Sequence, residues 1–325
     1  MKTTTTPWLI GAALAAILGS LLTAGCNRGG QETSDSRPRV ALVVKTLNSP
    51  FFLDMQRGAE QAARQRNVNL IVQAAEREVD VERQMQIVEN LIQTHVDVLC
   101  LAPSGSKELV PVVGKANRAG IPVLIVDSKL DEATAKHDGV ATATFIGSDN
   151  YEGGRIAGAH FGALFTNATD LIVLEGIPGH ETADSRVRGF RDGIKPFPQL
   201  HVVASQPADN ERDKGFNVMQ NLLQSQRDVK GVFASNDMMA LGALEAIRAA
   251  GKLGQIKVVG FDAVDEARQE IAAGNMEASV AQNPEAMGRL AVENAVKVLN
   301  GEKVPDYIPV AIQLVTKDTA TPPQE

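Results

Sequence analysis

From residue 39 onward the chain alternates between two hydrophobic patterns. Short apolar runs, RVALVV (39–44), NLIVQA (69–74), VDVLCLA (96–102) and PVLIVD (122–127), show little polar alternation. The series continues with TATFIG (142–147), DLIVLE (170–175), HVVASQ (201–206), VKGVFAS (229–235), IKVVGF (256–261), SVAQ (279–282) and IPVAIQLV (308–315). Such runs read as strands buried on both faces. Most are separated by stretches with apolar residues at helical spacing. In QMQIVENLIQ (84–93), Ile87 and Leu91, and Val88 and Ile92, recur at i, i+4. Strands joined by helices predict an α/β fold with parallel sheets covered on both sides.

The pattern is doubled. At an offset of 131 residues Arg57-Gly58 falls on Arg188-Gly189, NLIQ (90–93) on NLLQ (221–224), Asp97-Val98 on Asp228-Val229 and Ala119-Gly120 on Ala250-Gly251. After a four-residue insertion, VDS (126–128) meets FDA (261–263). Several matches at one offset, in matching places of the strand–helix pattern, define two copies of one four-strand unit, 39–127 and 170–262. Two architectures accept such copies, a (βα)₈ barrel and a pair of doubly wound lobes. The barrel has no place for TATFIG, the helical stretch 150–165, SVAQ, the helix near 285–299 and the last strand. Two lobes absorb them, with several chain crossings between them. Ligands of open α/β sheets lie beyond the carboxyl ends of the strands. That rule selects Lys45 to Phe52, Pro103-Ser104 and Asp127 in the first copy. In the second it selects the 179–186 loop, Ser235 to Asp237 and Asp262. Asp127 and Asp262 are then equivalent residues facing one cleft.

The amino terminus departs from this pattern. MKTTTTPWLIGAALAAILGSLLTAGC (1–26) has one charge, Lys2, an apolar run from Trp8 to Leu22, then Thr23, Ala24 and Gly25. The run is short and Ala/Gly-rich for a membrane span of about 20 residues and reads as an export signal. LTAGC resembles a bacterial lipoprotein signal, with Cys26 acylated as the first mature residue; plain secretory cleavage and a retained anchor are the alternatives. Residues 27–38, NRGGQETSDSRP, read as a flexible tether. Cys100, in VDVLCLAP, reads as a small buried hydrophobe. The 325-residue chain carries a net charge of −7 and no Lys/Arg cluster, which argues against nucleic acid as a partner.

Lys45, Phe51, Phe52, Asp127, Arg186, Asn236, Asp262 and Gln282 are the cleft candidates. The set lacks a phosphate-binding glycine loop, an HExxH motif, ligand-spaced histidines and a GxSxG elbow, so no metal, cofactor or common catalytic machinery is indicated. It suits a sugar. Carboxylates accept from hydroxyls, Arg donates in a planar fork, Asn and Gln do both, and a phenyl ring covers the C–H face of a pyranose. Phe51 and Phe52 adjoin in a chain only 4% aromatic, so one can seal the core while the other walls the ligand. The alternatives are two rings that only pack the helix onto the sheet, a surface role for Arg186, and strand-end capping by the two aspartates.

The chain resembles the periplasmic sugar-binding proteins of ABC transporters, of the ribose- and allose-binding type. The residues that carry the likeness are ALVVKTLNSPFF (41–52), VASQPAD (203–209), NVMQNLL (217–223), NDMMALGAL (236–244), KVVGFD (257–262), VAQNP (280–284) and LNGEKV (299–304). The resemblance implies two Rossmann-like lobes, 39–147 with 283–309 and 148–282 with 310–319, before a tail at 320–325. It also implies three crossovers, near Gly147, Gln282 and Pro309, and no enzymatic activity. Phe51 and Phe52 match an aromatic pair that sandwiches sugar, and Asp127, Arg186, Asn236, Asp262 and Gln282 match hydroxyl-binding positions. Lys45 matches a lysine of the allose type. Ser49 replaces an Asn of the ribose type, Ser128 replaces a ligand-binding Arg, and Asn210 replaces a stacking aromatic, leaving space for a different sugar or water. The implied partners are a monosaccharide and a membrane permease, with a chemoreceptor as a further candidate, and the implied state is a monomer. A receptor for a furanose-like signal such as autoinducer-2 is the rival function. The effector domain of a repressor would need a helix-turn-helix where the export signal stands.

Overall fold

The computed structural model describes residues 1–2 and 36–320, so the export signal, Cys26, most of the tether and the tail from 321 lie outside the described residues. Strand β1 (Arg39–Thr46) shows why the apolar runs fail to alternate. Val40 to Val44 are completely buried because helices cover both faces of the sheet. Their side chains still divide with period two. Val40, Leu42 and Val44 pack with Met55, Ala59 and Ala291, whereas Ala41 and Val43 pack with Ile87, Leu91 and Val112.

The first series continues with α1 (Pro50–Arg66), β2 (Asn69–Ala75), α2 (Val81–Gln93), β3 (Val98–Leu101), α3 (Val110–Arg118), β4 (Val123–Val126), α4 (Glu132–His137) and β5 (Thr144–Gly147). The second comprises α5 (Asn150–Leu164), β6 (Thr169–Glu175), α6 (Glu181–Ile194), β7 (Leu200–Pro207), α7 (Arg212–Ser225), β8 (Gly231–Ala234), α8 (Asp237–Ala249), β9 (Lys257–Asp262), α9 (Asp265–Ala272) and β10 (Ala278–Ala281). Helix α10 (Pro284–Leu299) and strands β11 (Tyr307–Pro309) and β12 (Gln313–Thr316) follow.

The strands form two separate six-stranded sheets, β11-β5-β4-β3-β1-β2 and β12-β10-β9-β8-β6-β7, which excludes the barrel. The repeated strands stand in the same order in both sheets, and the 131-residue offset carries the start of β2, Asn69, onto the start of β7, Leu200. All pairings are parallel except that of β10 with β12. The chain from Arg37 onward, with both lobes, is one compact unit.

The run IPVAIQLV is not one strand. Its first part, in β11, pairs with β5, and its last part, in β12, pairs with β10 of the other sheet, so residues 310–312 cross between lobes. The β5 ladder ends at Pro309 opposite Gly147, and the Val310 N–H closes it on the Gly147 carbonyl. Apolar periodicity cannot register this change of sheet, because both halves are strand-like. The chain also crosses at 148–149, ahead of α5, and at 282–283, ahead of α10.

Each lobe carries a glycine-mediated helix crossing. A Cβ on Gly58 of α1 would lie 1.9 Å from the Glu285 carbonyl oxygen, and one on Gly288 of α10 would lie 1.8 Å from that of Met55. In the other lobe a Cβ on Gly189 of α6 would meet the Tyr151 oxygen at 1.9 Å, and one on Gly154 of α5 the Arg186 oxygen at 2.0 Å. Backbones touch at both crossings, which only glycine permits. Gly58 and Gly189 are the residues that the repeat superposes. Cys100 is buried in β3, and burial pushes its thiol up to about 12, which leaves it unreactive.

Candidate functional site

Strand carboxyl ends of both lobes converge on one narrow polar cavity of about 30 Å³. Lys45, Ser49, Phe51, Phe52, Asp127, Arg186, Asn210, Asn236 and Asp262 all line it. From the first lobe, β1 ends at Thr46, just after the buried Lys45, and α1 starts a few residues later with Pro50 in its first turn. That short connection places Phe51 and Phe52 at the cavity. Their rings meet edge to face at 5.2 Å, and both belong to the core cluster as well as to the cavity wall. The Lys45 ammonium stands 5.8 Å above the Phe52 ring and 3.2 Å from Asp127 Oδ2.

Asp127 directly follows β4 and Asp262 ends β9, and both have left-handed backbones, with φ of 65° and 106°. Non-glycine residues adopt that conformation at a cost and cluster where function holds them. Neither aspartate is only a strand cap. Asp127 accepts from Ser128 Oγ at 2.9 Å, and Asp262 accepts from Gln282 Nε2 at 2.8 Å and faces Arg186 Nη1 at 3.5 Å. Arg186, in α6, is buried, not a surface residue. It donates to Asn150 Oδ1 and the Ser235 carbonyl and stacks 3.8 Å over Phe261. Asn236 caps α8, its Oδ1 accepting from the Met239 N–H, while its Nδ2 donates to the Asn210 carbonyl.

Two candidates stand one layer back. Ser128 supports Asp127 and accepts from Thr182 Oγ1 of the other lobe at 2.7 Å, and Gln282, at a crossing, supports Asp262. The space expected beside Asn210 is not vacant: Asn210 Nδ2 donates to Glu78 Oε2 at 3.0 Å. Glu78, His180, Thr182, Ala183 and Ser235 also line the cavity. Glu78 follows the end of β2, a strand end that the same topological rule selects and that is absent from the candidate set above. His180 is the residue before α6; the expected 179–186 loop is a turn at 179–180 followed by the first turns of that helix.

Burial dominates the electrostatics. It pushes the Asp262 carboxyl up to about 6 against the pull of Arg186, and raises Glu78 above the ordinary range although Lys45 opposes it. Burial and the Lys45 charge hold His180 down at about 4, hence neutral. Behind Asp262, Asp237 accepts from the Val264 N–H and Ser279 Oγ, yet complete burial and the Asp262 charge push it up to about 8. The Oγ of Ser235 and the Oε1 of Gln282 are buried without a hydrogen-bond partner. Among the described residues no group of three His, Cys, Asp or Glu side chains could hold a metal, and no helix is long and apolar enough to cross a membrane. A larger open groove on the hinge side shares Phe51 and Asp262 with the cavity.

Two α/β lobes, joined by three crossings and closed on a shared polar cavity, define a solute-binding protein. The chain belongs to the periplasmic binding protein family, whose domain model matches residues 40–303. It is 38% identical to the ribose import binding protein of Haemophilus influenzae over 88% of this chain and 94% of the relative. It is 35% identical to the D-allose-binding periplasmic protein of Escherichia coli over 85% of this chain and 91% of the relative. A periplasmic solute-binding protein of an ABC transporter from Actinobacillus succinogenes, solved with bound D-allose, superposes with a TM-score of 0.83 at 33% identity, covering 87% of this chain and 99% of that one. These relatives are binding proteins, not enzymes.

Proposed function

We propose that the chain is the substrate-binding lipoprotein of an ABC sugar importer, capturing a neutral monosaccharide between its lobes and presenting the closed form to a membrane permease. The observation that carries this reading is the convergence of Phe51, Phe52 and hydrogen-bonding groups from both lobes on one cavity. Bonds across the cleft support hinge closure: Thr182 to Ser128, Asn210 to Glu78, and Arg77 to Glu211. Within the cavity Lys45 pairs with Asp127 and Arg186 with Asp262; hydroxyls that accept from the cations and donate to the carboxylates can share these groups. A sugar with the wrong stereochemistry leaves buried groups unmatched at about 1–3 kcal/mol each, which makes closure selective. The relatives named for ribose and allose support a ligand of the same class. An acylated Cys26, exposed after removal of residues 1–25, tethers the monomeric protein to the membrane through residues 26–38.

Native mass spectrometry of freshly purified protein is expected to show a co-purified monosaccharide. Titration of stripped protein with an aldose panel is expected to give at least one saturable partner and compaction in solution scattering. No binding and no compaction with any neutral sugar refutes the assignment.

A further inference from the structure

The cavity has a second polar wall, in which Glu78 joins residues of the strand ends. It runs from Lys45 through Glu78 and Asn210 to Ser235. Glu78 Oε2 lies 4.0 Å from the Lys45 ammonium and accepts from Asn210 Nδ2. Asn210 and Ser235 meet over Gly176, where an added Cβ would lie 2.5 Å from Asn210 Oδ1 and 3.2 Å from Ser235 Oγ. A glycine there leaves room for both polar groups. Ser235 lines the cavity, and its hydroxyl is completely buried with no partner within the protein. Buried hydroxyls are rarely left unpaired, because the loss of hydration is uncompensated. Glu78 also adds a third carboxylate, beside Asp127 and Asp262, to a cavity whose cations are Lys45 and Arg186.

Resting on the sugar-binding reading, we propose that Glu78 and Ser235 form a hydroxyl-binding subsite that selects neutral sugars presenting a hydroxyl at this wall and rejects acidic sugars. Ser235 Oγ donates to and accepts from that hydroxyl, and Glu78 accepts from it or from its neighbour. A carboxylate or phosphate in this place meets the Glu78 charge with Lys45 already shared between two acids. His180, neutral beside Lys45, supplies no compensating cation.

The test uses ligand-stripped mature protein, with D-ribose, D-allose and D-galactose as neutral probes and D-galacturonate and D-ribose 5-phosphate as anionic ones. Wild type is expected to bind a neutral probe and neither anion. Ser235→Ala is expected to weaken the best neutral probe about five- to tenfold while raising the unfolding temperature of the free protein by about 2 °C, since it removes an unpaired buried hydroxyl. A merely structural serine would not move those two readouts in opposite directions. Glu78→Gln is expected to weaken the neutral probe about tenfold and to narrow the gap to D-galacturonate. Wild-type protein that binds a neutral probe, with both variants within twofold of it, overturns this subsite and leaves the sugar-binding reading standing. Wild type that binds none of these and no other neutral sugar of the aldose panel overturns both.

Discussion

The replacement of Gly58 by alanine isolates the contact that fixes α1 on α10. The three nearest atoms to the added Cβ are all backbone atoms of Glu285, with the carbonyl oxygen at 1.9 Å, so no side chain can swing away. Moving that oxygen from 1.9 to even 3.0 Å requires the helices to part by about 1.1 Å. The reciprocal contact of Gly288 with Met55 opens at the same time. Overpacking of this kind costs up to about 3 kcal/mol. Alanine returns about 1 kcal/mol through its better helix propensity. The net loss is therefore about 2 kcal/mol, or roughly 4 °C or more in unfolding temperature for a chain of this size. Gly114→Ala in α3 is the control, because its Cβ would touch only side-chain ends, Val140 Cγ2 at 3.2 Å and Arg118 Nη1 at 3.4 Å. It is expected to be neutral or stabilising by about 0.5–1 kcal/mol. Urea unfolding followed by circular dichroism measures both variants. A Gly58→Ala midpoint equal to or above that of Gly114→Ala refutes the backbone-contact reasoning.

Asp262→Asn keeps the shape of the side chain but removes its charge, and is expected to raise the sugar Kd about 10- to 100-fold by calorimetry, the loss of one charge-assisted hydrogen bond; an unchanged Kd removes Asp262 from the site. Asp237 and Asp262 both have raised folded-state values, about 8 and about 6, so the folded protein holds protons that the unfolded chain releases. Their contribution to stability is complete below about pH 4 and is lost as pH rises toward 6 and 8, by at most about 1.4 kcal/mol per pH unit per group. Urea midpoints measured from pH 4 to 8 are expected to fall less steeply for Asp237→Asn than for wild type, and parallel slopes contradict the assignment. Cys26→Ser is expected to release the exported protein from membranes into the soluble fraction, with loss of metabolic labelling by a fatty-acid analogue; retention on the membrane contradicts acylation at this residue.

Much of the architecture was legible before any coordinates. Apolar runs of strand length, helical spacing between them and an offset that superposes Gly58 on Gly189 are local or nearly local signals. They dictate α/β units in two copies, because burial on both faces leaves no polar alternation. The rule that ligands lie at strand carboxyl ends then selects Lys45, Phe51, Asp127, Arg186 and Asp262 without contact information. The division of IPVAIQLV between two sheets was not legible, because pairing depends on which edge lies nearby in space. The strand-end rule reaches the position of Glu78, but its partners do not follow from it, since they are Asn210, 132 residues away, and Lys45. Residue order is enough to specify two similar halves with polar residues at their strand ends. That these ends close on one cavity, which acids share it and which hydroxyl is left without a partner emerge only on folding, because burial and pairing are properties of distance in space, not of order along the chain.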